Sequence, residues 1–126
     1  MGGVEWIVDA QGCSAQSLRD LDLLRALFGQ IISDLRLRPL GDTRWHQFPE
    51  TGGITGLCLL SESHLACHTF PEFGSLCVNL FCCAPRKQWA FEGKLKELFS
   101  ASSVQVRTIL RAYERIGCQV LVLEET

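Results

Sequence analysis

Only three lysines occur in the 126 residues, Lys87, Lys94 and Lys96, all in or beside the polar side of one predicted helix. A pyridoxal phosphate enzyme needs a Schiff-base lysine in a large fold with a phosphate cradle, so that cofactor is excluded. The chain also lacks any excess of basic residues. Its formal net charge is -2, which argues against a nucleic-acid partner. Arg36 and Arg38 stand alone at a predicted helix end, where cations suit the helix dipole, and read as solvated charges. No apolar run reaches membrane-spanning length, and the start, Met1-Gly2-Gly3-Val4-Glu5-Trp6, has neither a basic leader nor the hydroxyl residue that myristoylation requires where Trp6 stands. A cytoplasmic protein is expected, with no membrane partner.

Seven cysteines are present (Cys13, Cys58, Cys67, Cys77, Cys82, Cys83 and Cys118), but none is spaced C-x-x-C and most lie inside apolar runs. An odd number in that setting is not a disulfide framework. They read as small buried hydrophobes in a reducing compartment. A zinc site fails on geometry as well: His64 and His68 on one extended segment would stand about 13 Å apart at roughly 3.3 Å per residue. No metal is expected. Repeats, low-complexity segments and linkers are absent, and the length fits one domain, 1–126.

What is present is hydrophobic patterning of two periods. Val4, Trp6 and Val8 alternate with Glu5, Ile7 and Asp9, the pattern of a strand with one buried face. Ser14 is a candidate N-cap, and Leu18, Leu21, Leu24, Phe28, Ile31, Ile32 and Leu35 then recur at helical spacing until Pro39 and Gly41, predicting one helix. Thr43 to Phe48 and Ile54 to Leu60 read as strands, and the polar Ser61-Glu62-Ser63 interrupts the pattern before it resumes from His64 to Phe70. Pro71 to Gly74 is a turn, and Leu76 to Cys83 is a further strand closed by Pro85.

A second helix is predicted from about Lys87 to Phe99, and a late strand at Val104 to Leu110, with an apolar tail at Val120 to Leu123. The expected fold is α+β: a two-layer sandwich of a mostly antiparallel sheet with two helices on one face. A sheet this apolar on both sides would need a second copy to cover it.

Alternation along the strands sorts the reactive side chains. Cys77, Asn79, Phe81 and Cys83 share one face, with Cys82 on the other. His64 and His68 share a face from which Cys67 points away into the core. Taken singly, Ser63 reads as a turn serine, His68 as a satisfied structural histidine and Cys83 as a packed thiol.

Together they form a pattern: Ser61-Glu62-Ser63-His64, then His68-Thr69-Phe70-Pro71-Glu72-Phe73-Gly74, then Val78-Asn79-Leu80-Phe81-Cys82-Cys83. This resembles the self-cleaving core of the short prokaryotic S-adenosylmethionine decarboxylases. The likeness is dense from about Thr43 to Pro85 and looser on either side.

The resemblance implies that Ser63 becomes a pyruvoyl group, the catalytic cofactor, by cleavage between Glu62 and Ser63 into a β chain, 1–62, and an α chain, 63–126. A ketone at that point can accept the electrons left on the α-carbon of an amino acid after decarboxylation, by condensing with its amine. By the same resemblance His68 is the proton acceptor in processing, Thr55 replaces a serine that assists it, and Cys83 is the proton donor in turnover. Glu72, Phe48, Phe70 and Asn79 are the candidate substrate contacts. S-adenosylmethionine is the implied small-molecule substrate, its product the aminopropyl donor for spermidine, and the enzyme is expected to be a homodimer of cleaved protomers.

Three departures from the family pattern stand out: Asn79 in place of aspartate, Cys82 in place of threonine, and Phe70 where tryptophan is common. They leave open the same chemistry on L-arginine or L-ornithine, and an uncleaved homologue that regulates an active partner.

Overall fold

A computed structural model describes residues Gly2–Tyr113, so Cys118 and the apolar stretch at 120–123 lie outside the described residues. Six strands, β1 Gly2–Gln11, β2 Arg44–Gln47, β3 Ile54–Leu60, β4 Ser63–Phe70, β5 Ser75–Cys82 and β6 Ser103–Ala112, form one sheet in the order β2-β3-β4-β5-β1-β6. Every neighbouring pair is antiparallel. Three helices, α1 Ala15–Leu18, α2 Leu21–Asp34 and α3 Phe91–Phe99, bury their apolar stripes with one side of the sheet. The expected two-layer α+β sandwich is what forms.

Register explains which side. Trp6 pairs with Leu80, Leu80 with Leu65 and Leu65 with Cys58, and all four are buried. Because the side-chain period is two, this single row commits every alternate position to the core. Leu18, Leu24, Leu27, Ile31, Leu95 and Phe99 fill the space beneath.

The first helix differs from its prediction. It breaks at Asp20, whose extended backbone starts α2 and whose carboxylate accepts from Leu23 N at 3.1 Å, while Ser14 caps α1. The carbonyls freed by the break are satisfied: Thr69 Oγ1 donates to Leu18 O at 2.8 Å and Gln47 Nε2 to Arg19 O at 2.9 Å. A periodic apolar stripe continues across such a break without signalling it, so the sequence pattern alone predicts one helix where two form.

The second predicted helix starts four residues late, at Phe91. Trp89 is the reason: it is buried, packs edge-on to Phe91 at 5.4 Å and donates its indole N–H to Asp34 at 2.8 Å.

The opposite face of the sheet is less apolar than the sequence suggested. Leu57 and Leu59 are exposed on it, but it also carries polar groups in number: exposed His68, Arg107 and Arg111 and half-buried Glu5, Asp9, His64 and Asn79 all have the parity that points away from the helices. No described helix is long and apolar enough to cross a membrane.

Candidate active site

The sequence-predicted residues separate into two clusters at opposite ends of β4. At its start, Leu60 pairs with Ser63, so Ser61 and Glu62 form a two-residue hairpin loop. Neither loop residue has a positive φ, so this is not one of the primed turns that suit the twist of paired strands. Ser63 also pairs with Cys82, and Cys83 follows at the end of β5. Ser63, Glu62, Cys82 and Cys83 line a cavity of about 260 Å³ together with Arg36, Arg38 and Arg86.

Glu62 and Cys83 are joined: Cys83 Sγ donates to Glu62 Oε1 at 3.1 Å. That hydrogen bond, reinforced by desolvation and by the carboxylate's charge, pushes the thiol up from its ordinary value. A thiol so held stays protonated at neutral pH. It is suited to giving a proton and ill suited to attacking as a thiolate, which counts against a cysteine hydrolase. The Tyr113 hydroxyl donates to the Cys83 carbonyl and fixes the backbone there.

Cys82 is buried on the helix side, its thiol raised by desolvation and drawn back by Arg86. Cys67 is fully buried and pushed up to about 12, so it is core, as its alternation predicts.

Near the other end of β4, His68 Nδ1 lies 3.1 Å from Thr55 Oγ1, its cross-strand partner. Thr55 and His68 line a second cavity, about 250 Å³, with Phe48, Phe70, Glu72 and Glu50. Five of the predicted residues therefore meet here, one hydroxyl, one imidazole, one carboxylate and two aromatic rings. They do not meet Ser63. His68 is five residues along the strand, about 16 Å at roughly 3.3 Å per residue, and its side chain points to the opposite face of the sheet. The spacing that rules out His64 and His68 as joint metal ligands would have revealed this from sequence.

Asn79 lines neither cavity. Its amide donates to Glu5 Oε2 at 2.9 Å, so its carbonyl is free to accept from His64 Nε2–H at 2.8 Å, which fixes both the amide orientation and the tautomer. Arg111 completes the chain by donating to Glu5 Oε1 at 2.8 Å. The Asn79 hydrogen bond is the main cause, with Arg111 behind it, that holds the Glu5 carboxyl below its ordinary value. Where the family pattern has aspartate, a neutral amide here sits against a carboxylate.

The Trp45 ring packs on Phe28 at 4.8 Å and lies where a Cβ on Gly56 would be, so it covers the core. The residues that sequence reading missed are Arg36, Arg38 and Arg86. As isolated charges they carry no pattern, and only the path of the chain after α2 brings two of them to Ser63. Among the described residues, no group of three or more histidine, cysteine or acidic side chains could hold a metal ion.

Comparison with known proteins gives the family of the chain. The model of a family described as S-adenosylmethionine decarboxylase matches residues 4–112. The chain is 30% identical over 106 residues to the S-adenosylmethionine decarboxylase proenzyme of Moorella thermoacetica, covering 83% of each. It is 32% identical over 104 residues to that of Pelotomaculum thermopropionicum, covering 79% of each. The crystal structure of the adenosylmethionine decarboxylase from Aquifex aeolicus superposes with a TM-score of 0.74 over 94% of this chain and 98% of that one, at 19% identity, and so shares the fold. With the serine-bearing hairpin, the adjoining thiol and a family match that runs from β1 to the end of β6, the chain belongs to the S-adenosylmethionine decarboxylase family.

Proposed function

We propose that this chain is a pyruvoyl-dependent S-adenosylmethionine decarboxylase, made as a precursor that cuts itself between Glu62 and Ser63 into 1–62 and 63–126. The observation that carries the reading is the position of Ser63, at the mouth of a tight hairpin and in one cavity with a thiol that Glu62 keeps protonated.

The residues at that position fit a pyruvoyl group. Ser63 Oγ needs only the carbonyl of its own preceding residue, and the cavity leaves room beside the new terminus. Once formed, the group supplies an electron sink for the substrate α-carbon. Cys83 then returns a proton to that carbon, which its protonated state allows. Thr55 and His68 are matched as a hydroxyl and a base for processing. Phe48 and Phe70 offer faces for an adenine or a sulfonium, and Glu72 a carboxylate.

A single protomer keeps Ser63 and His68 too far apart to exchange a proton. A two-fold dimer resolves this if the Thr55–His68 cluster of one protomer serves the Ser63 cavity of the other. Such a site exists only in the assembly. The exposed Leu57 and Leu59 on the sheet face away from the helices supply apolar surface for that contact.

Denaturing mass spectrometry of the purified protein tests the processing. Two fragments are expected, the later one lighter by one ammonia than simple hydrolysis would give. A single intact chain after long incubation would defeat it. Carbon dioxide release from S-adenosylmethionine, ornithine and arginine, measured side by side, tests the substrate. Turnover of a basic amino acid with none of S-adenosylmethionine would overturn that choice and spare the mechanism.

A further inference from the structure

Self-cleavage by a serine has a step whose charge the site must accommodate. Ser63 Oγ adds to the Glu62 carbonyl, the C–N bond breaks, the amine takes up the hydroxyl proton, and an ester results. Elimination then removes the Ser63 α-proton and breaks the Cβ–O bond, whose electron pair leaves on the α-carboxylate of Glu62. The enamine left behind tautomerises, and water converts it to a ketone and ammonia. No oxidant or reductant is needed. The departing group is an anion, created in a cavity that already contains the Glu62 side chain.

Three arginines line that cavity. Arg36 has φ 55°, a left-handed position just past the cap of α2 where glycine is the usual residue because a side chain is strained there. The strain is borne by a residue that lines the cavity and carries a positive charge. Arg38 is fastened to the segment that will become the new terminus: Ser61 N donates to Arg38 O at 2.8 Å, Pro39 bridges Leu60, and Leu40 N donates to Leu59 O at 2.8 Å. Arg86 comes from the other fragment and is anchored by donating to Leu35 O at 2.8 Å. None of the three is within 4.0 Å of a carboxylate among the described residues.

From this we infer that Arg36, Arg38 and Arg86 form a receptor for the carboxylate that processing creates at Glu62, stabilising it as it leaves and holding it beside the new terminus afterwards. The inference rests on the self-cleavage proposed above. It assigns the arginines to the second chemical step and leaves the first to Ser63 and its base. Removing their charge must therefore stall the chain at the ester, not at the amide.

The test compares the wild-type chain with Arg36→Gln/Arg38→Gln, with Arg86→Gln, and with Arg36→Lys/Arg38→Lys, following fragment formation after synthesis by mass spectrometry with and without hydroxylamine. The glutamine double variant is expected to form the ketone-ended fragment about 100-fold more slowly, the size of effect seen when a preorganised donor to a developing anion is lost. Hydroxylamine should split the accumulated ester, releasing a fragment that begins with an intact Ser63 amine and has lost no ammonia. The lysine variant, which keeps both charges, should recover most of the rate, separating loss of charge from loss of fold. Wild-type speed in the glutamine variants, or a slow chain that hydroxylamine does not split, overturns the inference while wild-type cleavage continues. Failure of the wild-type chain to cleave at all removes the parent reading and this one with it.

Discussion

The two ends of β4 are chemically opposite although eight residues of one strand connect them. At the Ser63 end the walls are cationic, with three arginines and two thiols, and the one carboxylate is engaged by Cys83. At the Phe70 end they are aromatic and acidic, with Phe48, Phe70, Glu50 and Glu72 around a histidine paired to a hydroxyl. The first environment suits leaving carboxylates and proton return; the second suits a cationic, aromatic substrate and proton removal. On the reading proposed above, neither does the whole chemistry. A strand separates its two ends by its length and its alternate residues by its thickness, so the proposed two-fold dimer is what would bring the two half-sites together.

That division can be broken most decisively by complementation. Ser63→Ala and His68→Ala are each expected to abolish cleavage when expressed alone. Co-expressed with distinguishable tags, they should restore it, and only the chain carrying His68→Ala should be cut, because its serine meets the histidine of the other protomer. Cleavage of neither chain, or full cleavage of His68→Ala by itself, would return both roles to one protomer or remove the histidine from processing.

A smaller effect sharpens the cationic end. Cys83→Ala should still yield both fragments yet lower turnover of S-adenosylmethionine about 100-fold, the usual size of a lost general acid. Cys82→Ala, removing a buried thiol on the helix side, should affect stability more than turnover. A reversal of these two results, read from kcat and from thermal melting, would move proton return to Cys82.

The smallest effect concerns the open face between the two ends, where Glu5, Asn79, His64 and Arg111 are linked. Glu5 has a folded-state pKa below its ordinary value of 4.5, so its contribution to stability is present above that value and is lost as pH falls through the depressed one. Asn79→Asp would set a second carboxylate against Glu5 and cost about 1 kcal/mol at neutral pH, as like charges on neighbouring strands do. Protonation of either acid relieves it. The melting-temperature deficit of Asn79→Asp should therefore shrink on acidification toward pH 4.5, and a deficit independent of pH would show that the amide acts by shape alone.

Much of this was legible in the residues. Alternation assigned Cys67 to the core and Cys83 to the other face, because a strand has only two sides. Ser63, His68 and Cys83 were candidates through the resemblance of their pattern to a family, since each taken singly reads as structural. Helix ends were less legible: the break at Asp20 is decided by a local cap and by Thr69 and Gln47 from distant strands, and the late start of α3 by Trp89 reaching Asp34 across 55 residues.

Composition and local order by themselves determined the α+β pairing of a sheet with helices and the face each strand residue takes, while the class of chemistry came from the resemblance of the Ser61 to Cys83 pattern to its family. Only the tertiary structure decided that Thr55, Phe48 and Glu72 gather with His68 in one cavity, that Asn79 belongs to Glu5 and His64, and that Arg36, Arg38 and Arg86 line the cavity of Ser63. The reason is physical: periodicity reports which way a side chain faces along its own element, whereas the meeting of charges from different elements depends on how the chain turns between them, and a lone arginine carries no period to read.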